Sequence, residues 1–130
     1  MKPGLLFLIS ALCIGVTGQV SPVDAQGRDA RREGRALTKP CKVCHDLRRE
    51  KRKFGPHLVG IVGRPVASAD RYKYSDPLKA LGGMWTENRI ANFINDPKSY
   101  APGTNMNFKG FNDMTKARLA AAYIARKSSP

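Results

Sequence analysis

Two cysteines and a histidine lie within five consecutive residues of this 130-residue chain, in the segment Cys41-Lys42-Val43-Cys44-His45. The C-x-x-C-H pattern is the attachment signature of a c-type haem. Two thiols at this spacing can each add to one vinyl group of the same porphyrin, and the adjacent imidazole can then bind the iron as proximal ligand. The segment therefore predicts one covalent haem held by Cys41 and Cys44, with His45 on the iron.

The same cysteine pair has two alternative interpretations. Half of a zinc site would need a second pair of ligands, whereas the chain offers only one other histidine, His57, and one other cysteine, Cys13. A thioredoxin-like redox pair would need alternating strands and helices around it, which the sequence does not predict. Cys13 belongs to the N-terminal apolar segment, so haem attachment would leave no thiol for a structural disulfide.

The first 25 residues have the organisation of a secretory signal peptide. Lys2 precedes an apolar run from Leu5 to Val16, and Val23-Asp24-Ala25 places small or aliphatic residues at the positions that a signal peptidase reads. The alternative is a membrane anchor, but the run is shorter than the ~20 residues of a spanning helix. The sequence predicts a signal peptide over residues 1–25, cleavage after Ala25, a periplasmic location and one domain over residues 26–130.

The chain is strongly basic, because 23 lysines and arginines outnumber 10 aspartates and glutamates and give a net charge of +13. A charge of this size predicts an anionic partner whose encounter is steered electrostatically. Nucleic acid would satisfy the charge as well as an acidic protein would, so composition leaves both partner classes open. A domain of this length buries only a modest core, to which a covalent haem would add a large apolar nucleus.

Helical patterns dominate the predicted secondary structure. Helices are predicted over residues 29–37, 76–81, 86–95 and 113–127. Thr86 and Asn112 are expected to cap the last two of these helices. Residues 54–70 are rich in Gly and Pro without a sustained period, which predicts a loop. Strand-like alternation is nearly absent, so the predicted fold class is all-α with long loops.

A six-coordinate iron needs a second axial donor. The candidates in the mature chain are His57, Met84, Met106 and Met114. Met106 follows Pro102-Gly103 in a predicted loop between two helices, and a loop can direct a thioether at a haem face more easily than a helix can. Met84 adjoins Trp85 and is expected to pack in the core, as Met114 is on the last helix. His57 is expected to be a partly exposed hydrogen-bonding residue, so the residues alone favour Met106.

Several further short motifs occur along the chain, before and after the C-x-x-C-H segment. They are Gly34 seven residues before Cys41, Gly55-Pro56-His57-Leu58, Gly63-Arg64, Tyr72-Lys73-Tyr74-Ser75-Asp76, Trp85 ahead of a helix, and Asp96-Pro97-Lys98-Ser99-Tyr100-Ala101-Pro102-Gly103-Thr104-Asn105-Met106. Together with C-x-x-C-H they resemble the class I cytochromes c, specifically the soluble mitochondrial-type subgroup that includes exported bacterial homologues. The resemblance covers nearly all of residues 29–127.

The resemblance implies a cytochrome c fold, in which short helices and loops wrap around one covalent haem and the N- and C-terminal helices cross. It implies His45 and Met106 as axial ligands, with the Pro56 carbonyl bonded to the free ring nitrogen of His45. Gly34 would let the first helix cross the last one closely beside Tyr123. The haem propionates would be bound by Tyr74, Trp85 and Thr104, with Arg64 nearby.

The chain departs from the family's pattern around the expected haem edge. Ser99 and Asn105 stand where relatives often carry lysine, so the usual basic ring is incomplete. Other cations could rebuild that ring, namely Lys39, Lys42, Lys98, Lys109 and residues 48–53. The identity of the partner is therefore the least constrained part of the resemblance.

These patterns together predict a monohaem electron carrier rather than an enzyme. Its predicted partners are acidic redox proteins, such as a membrane oxidase, a reductase or a reaction centre, with no nucleic acid. The chain is expected to be a monomer that meets membranes only through such partners. The alternative is a haem enzyme or sensor, peroxidase-like or gas-binding, with a labile sixth ligand. An available distal base would favour that alternative, and the sequence offers no obvious one.

Overall fold

The computed structural model describes residues 22–130, so the predicted signal segment lies outside the described residues except for its last four. Within residues 22–130 there is no strand, and a single isolated bridge joins Pro65 to Met84. The predicted all-α class is therefore confirmed. The helices are α1 (Pro22–Leu37), α2 (Cys41–Cys44), α3 (Asp76–Ala80), α4 (Glu87–Asn95), α5 (Pro97–Tyr100) and α6 (Met114–Ser128). No helix in this part of the chain combines the length and the apolar character needed to cross a membrane.

Helix α1 already includes Pro22, the first residue that the structure describes, so it extends beyond the predicted start at residue 29. The helix ends at Leu37, and the buried Thr38 closes it by donating its amide and its hydroxyl to the Gly34 carbonyl, at 3.1 and 2.9 Å.

The N-cap of α4 is confirmed, whereas that of α6 differs from the prediction by one residue. The Thr86 hydroxyl accepts a backbone amide in the first turn of α4 at 3.1 Å. At α6 the capping side chain is Asp113, which accepts the amides of Thr115 and Lys116 at 3.0 and 3.2 Å. Asn112 instead adopts a left-handed backbone with φ of 49° and ends the preceding loop. Both residue types cap well, so the pattern alone did not separate them.

Helix α6 packs against both α1 and α4, which places the two terminal helices in contact. The α1 contact centres on the buried Gly34. A Cβ atom built there would lie 2.5 Å from the Leu119 carbonyl oxygen and 3.0 Å from Tyr123 Cβ. The helices therefore approach beside Tyr123, as the resemblance implied, and the approach depends on a residue without a side chain.

Replacing Gly34 by alanine is expected to destabilise the protein. The Leu119 carbonyl belongs to a helix backbone and cannot rotate away, so overpacking should cost on the order of 1–3 kcal/mol in the free energy of unfolding. The gain in helix propensity, under about 1 kcal/mol, is smaller. Gly27→Ala is the matched control, because α1 leaves open space around Gly27. We expect the denaturant midpoint to fall for Gly34→Ala and not for Gly27→Ala. Equal midpoints for the two variants would contradict this packing.

Candidate haem-binding site

A cavity of about 460 Å³ lies among α2, α4, α6 and the loops around residues 54–64 and 105–108. Its volume falls within the range of about 300–1,000 Å³ that is typical of cofactor sites. Its wall is largely apolar and comes from six separate stretches of the chain. The aliphatic and phenylalanine side chains that line its interior include Leu58, Ile61, Leu78, Ile90, Phe93, Ile94, Phe108 and Ile124. Such a cavity suits a large apolar group rather than water.

Cys41, Cys44 and His45 all line this cavity. The single turn of α2 carries both cysteines, and neither is in a disulfide. Burial raises the pKa of the Cys41 thiol. His45 follows the end of α2 directly, and its amide donates to the Cys41 carbonyl at 2.9 Å. Two thiols and one imidazole are thus presented to the same space by one short element.

The orientation of the His45 ring is fixed by a hydrogen bond to a backbone carbonyl. Its Nδ1 lies 2.7 Å from the Pro56 carbonyl oxygen, the hydrogen bond that the resemblance implied. Since a carbonyl can only accept, Nδ1 carries the hydrogen and Nε2 keeps its lone pair for a metal. Burial lowers the pKa of His45, which favours the neutral imidazole that ligation requires. A Cβ at Gly55 would lie 2.5 Å from His45 Cε1, so this close approach needs glycine.

Met106 reaches the cavity from the loop that follows α5. The loop is held by local hydrogen bonds, in which Lys98 Nζ donates to the Thr104 carbonyl at 2.7 Å and the Met106 amide donates to the Thr104 hydroxyl at 3.3 Å. Gly103 has φ of +91°, a conformation that favours glycine. The loop therefore has a fixed shape that places the thioether at the cavity.

Of the four axial candidates, Met106 alone lines the cavity. Met84 is 49% exposed, so its predicted role in core packing is wrong; its segment pairs with Pro65 at the surface instead. Met114 packs partly buried against the core, as expected. His57 is half-buried, with its Nδ1 3.3 Å from a guanidinium nitrogen of Arg64, which fits the predicted hydrogen-bonding role.

Arg64 lines the cavity with a donor that has no protein partner. Its two terminal nitrogens donate to the carbonyls of Val59 and His57, at 2.7 and 2.9 Å. Its Nε is buried without an acceptor, and so is the hydroxyl of Ser75. A buried unpaired donor is costly, and the positive charge of Arg64 beside the cavity would offset the charge of a propionate carboxylate. The polar atoms of the wall thus fit a haem as well as the apolar atoms do.

Tyr74 and Trp85 are both buried in the cavity wall. The Tyr74 hydroxyl accepts the Ala69 amide at 3.2 Å and keeps its own hydrogen to donate, and burial raises its pKa. The centroid of the Trp85 ring lies 5.5 Å from that of Phe93 and 5.6 Å from Arg89 Cζ. Thr104 is the one predicted propionate residue that does not line the cavity; it is 2% exposed and supports the Met106 loop.

Several wall residues were not predicted from the sequence. Tyr72 lines the cavity with its ring 4.8 Å from that of Tyr74, and Phe54 and Val43 lie at the mouth, 84% and 65% exposed. All three stand outside any apolar period that could have marked them. None of the cations expected to frame the haem edge lines the cavity; within residues 22–130 its only lysine or arginine is Arg64.

Sequence comparison finds relatives that are named as cytochromes c. The chain is 39% identical over 94 residues to "Cytochrome c-554" of Methylosinus trichosporium, covering 72% of this chain and 71% of that protein. It is 37% identical over 94 residues to "Cytochrome c-550" of Nitrobacter winogradskyi, covering 72% of this chain and 86% of that protein. A "Cytochrome c homolog" of Rickettsia bellii is 49% identical over 78 residues, which are 59% of this chain but only 45% of the relative's length.

Structure comparison gives the same result. Cytochrome cH from Methylobacterium extorquens matches with a TM-score of 0.67 and 37% sequence identity, over 74% of this chain and 97% of that one. No family model matches the chain. Two relatives above 30% identity are covered over more than two thirds of their length, so the similarity extends across whole domains rather than one motif.

Proposed function

Because the chain belongs to the class I c-type cytochromes, we propose that it carries single electrons between redox partners through its haem. Its cofactor is one covalently bound haem c. The observation that carries the proposal is the convergence of Cys41, Cys44, His45 and Met106 on one apolar cavity. A carrier needs an iron with both axial positions filled by the protein, so that electrons pass without a substrate binding to it.

In this proposal each cavity residue has a separate task. Cys41 and Cys44 would hold the haem through thioethers, and His45 and Met106 would bind its iron. The carbonyl of Pro56 fixes the His45 ring and makes it a stronger donor. Arg64, Tyr74 and Trp85 supply donors for the propionates, while Thr104 acts through the Met106 loop. Haem supplies the one-electron chemistry, and the apolar wall with a thioether ligand favours the ferrous form.

Redox titration in the presence and absence of carbon monoxide tests this function. We expect the purified holo-protein to be reduced and reoxidised reversibly by one electron per chain, with a ferrous spectrum that carbon monoxide leaves unchanged. The alternative of a haem enzyme or sensor with a labile sixth ligand predicts rapid binding of carbon monoxide to the ferrous protein. Such binding at neutral pH would reject the carrier and favour that alternative.

We further propose that the protein works in the periplasm after removal of residues 1–25. The support is the basic start, apolar run and cleavage pattern of the N-terminal sequence. Ala25 belongs to α1, so cleavage after it would remove residues 22–25 from that helix. The contacts of Gly34, which stands in the last third of α1, would be retained.

The partner is proposed to be an acidic redox protein, because the chain carries a net charge of +13. We expect second-order electron transfer to an acidic acceptor protein to slow as salt rises, since charges are screened beyond roughly 10 Å at 0.1 M ionic strength. Stopped-flow rates measured over a salt series test this, with an uncharged small-molecule oxidant as control. If the rate of electron transfer to the acidic protein did not change with salt, the basic residues would be solvated surface groups with no part in steering a partner.

A further inference from the structure

A second concave surface, of about 870 Å³, adjoins the haem cavity on the side of His45. It lies between α1, the C-terminal end of α6 and the segment that follows α2. Nine lysines and arginines line it, against one carboxylate, that of Asp46. Six of these cations are arginines, namely Arg31, Arg32, Arg35, Arg48, Arg49 and Arg126. We call this surface the arginine groove.

The single carboxylate of the groove is already engaged within its own turn. Asp46 Oδ1 accepts the backbone amides of Arg48 and Arg49, both at 3.0 Å, and Oδ2 lies 3.5 Å from Arg49 Nε. Its side chain is only 9% exposed. Asp46 therefore shapes the loop wall of the groove and does not pair with the arginines of α1 or α6.

Several cations of the groove stand close to one another. Arg31 and Arg35 stand four residues apart on α1, a spacing at which like charges repel. Two further cations lie near one aromatic ring, with Lys42 Nζ 5.1 Å and Arg126 Cζ 5.3 Å from the Tyr123 centroid. These contacts hold two charges in place before any ligand arrives. A polyanion would relieve the repulsion and use this arrangement.

We propose that the arginine groove binds an extended, Asp- and Glu-rich segment of a redox partner. Guanidinium groups match carboxylates with two parallel hydrogen bonds, and arginines on three walls match several carboxylates in series. A groove admits a narrow, extended chain more readily than the flat face of a folded domain. Acidic segments of this kind are commonly disordered and fold onto a surface when they bind.

The position of the groove gives a bound segment a role in docking the partner. Nine lysines and arginines line the groove, whereas Arg64 alone of these residue types lines the haem cavity, and the lining residues Val43 and Phe54 are exposed. A segment bound in the groove would tether the partner next to the haem and leave the apolar mouth free for electron transfer. This docking role rests on the proposed function, whereas binding of the segment can be measured without any electron transfer.

Peptide binding to the holo-protein tests the proposal. The probe is a fluorescently labelled octaglutamate peptide, measured by anisotropy at low ionic strength. The groove variant is Arg31→Gln/Arg35→Gln/Arg126→Gln, and the control, with the same charge change, is Lys79→Gln/Lys116→Gln/Arg118→Gln at exposed positions outside both cavities. We expect the groove variant to lose at least about tenfold in affinity and the control about twofold or less. If the triple variant folds poorly, a second groove variant, Arg32→Gln/Arg48→Gln, replaces it. This double variant should also lose affinity for the peptide.

Three results would overturn the proposal. Equal losses for groove and control variants would show that only overall charge matters. Unlabelled octaglutamate, inorganic triphosphate and phosphatidylglycerol vesicles are compared as competitors at equal concentrations of negative charge. If triphosphate or the vesicles displace the labelled peptide more effectively than octaglutamate does, the groove binds phosphate groups instead. No measurable peptide binding would leave the groove a solvated surface. None of these results changes the redox titration, so failure here is distinguishable from failure of the carrier function.

Discussion

Met106→Ala is expected to abolish the weak near-infrared sulfur-to-iron charge-transfer band of the ferric protein. It should also lower the reduction potential, because a thioether is a better ligand for ferrous than for ferric iron. We expect a decrease on the order of 100 mV or more, as axial ligands set haem potentials over a span of about 0.8 V. Of the candidate ligands Met84, Met106 and Met114, only Met106 lines the cavity, so neither of the other two thioethers is placed to bind the iron in the variant.

Met84→Ala is the matched control for this experiment. Met84 carries the same side chain but is 49% exposed and lies outside the cavity wall, so its removal should leave both band and potential unchanged. His57→Ala should likewise keep the band, since His57 contacts Arg64 instead of projecting as a ligand. Persistence of the band in Met106→Ala, or its loss in Met84→Ala or His57→Ala, would show that the sixth ligand is assigned to the wrong residue.

The second large effect is expected from removing the two attachment thiols. Cys41→Ala/Cys44→Ala should carry no haem that survives denaturation and should fold poorly. Without the haem, the apolar wall of the cavity of about 460 Å³ would lose its packing partner, and a domain whose whole stability is about 5–15 kcal/mol tolerates such a loss poorly. Haem-stained denaturing gels and thermal unfolding followed by circular dichroism measure the two effects.

Single variants and a distant cysteine provide the controls. Cys41→Ala and Cys44→Ala alone should each keep one thioether and stain on the gel, with reduced yield. Cys13→Ser should stain as the unchanged protein does, because Cys13 belongs to the segment predicted to be removed. Haem staining of the double variant at the level of the unchanged protein would contradict attachment through these two residues.

The features that could be predicted from the sequence are those encoded within a few neighbouring residues. The C-x-x-C-H segment and the G-P pair both act locally: α2 presents two thiols and His45, and Pro56 accepts from that histidine. Thr86 marked the start of α4 because an N-cap depends only on the adjoining turn. The loop that carries Met106 is likewise held by a nearby contact, in which Lys98 of α5 donates to the Thr104 carbonyl.

The features that could not be predicted depend on residues distant in sequence. Tyr72 and Phe54 line the cavity from irregular loops, where no period distinguishes a wall residue from a surface residue. Met84 was expected to share the burial of its neighbour Trp85, but in an extended segment successive side chains face opposite ways. The arginine groove joins α1 to α6 and to the loop after α2, so its charge appears in the sequence only as separate basic stretches.

The most direct test of the haem site is the intact mass of the denatured protein purified from periplasm. We expect a polypeptide that begins at Gln26, with one haem remaining attached after acid-acetone extraction. Digestion should place the haem on the peptide that contains Cys41 and Cys44. A mass equal to that of the polypeptide alone, with the colour in the extract, would contradict covalent attachment and with it the site described here.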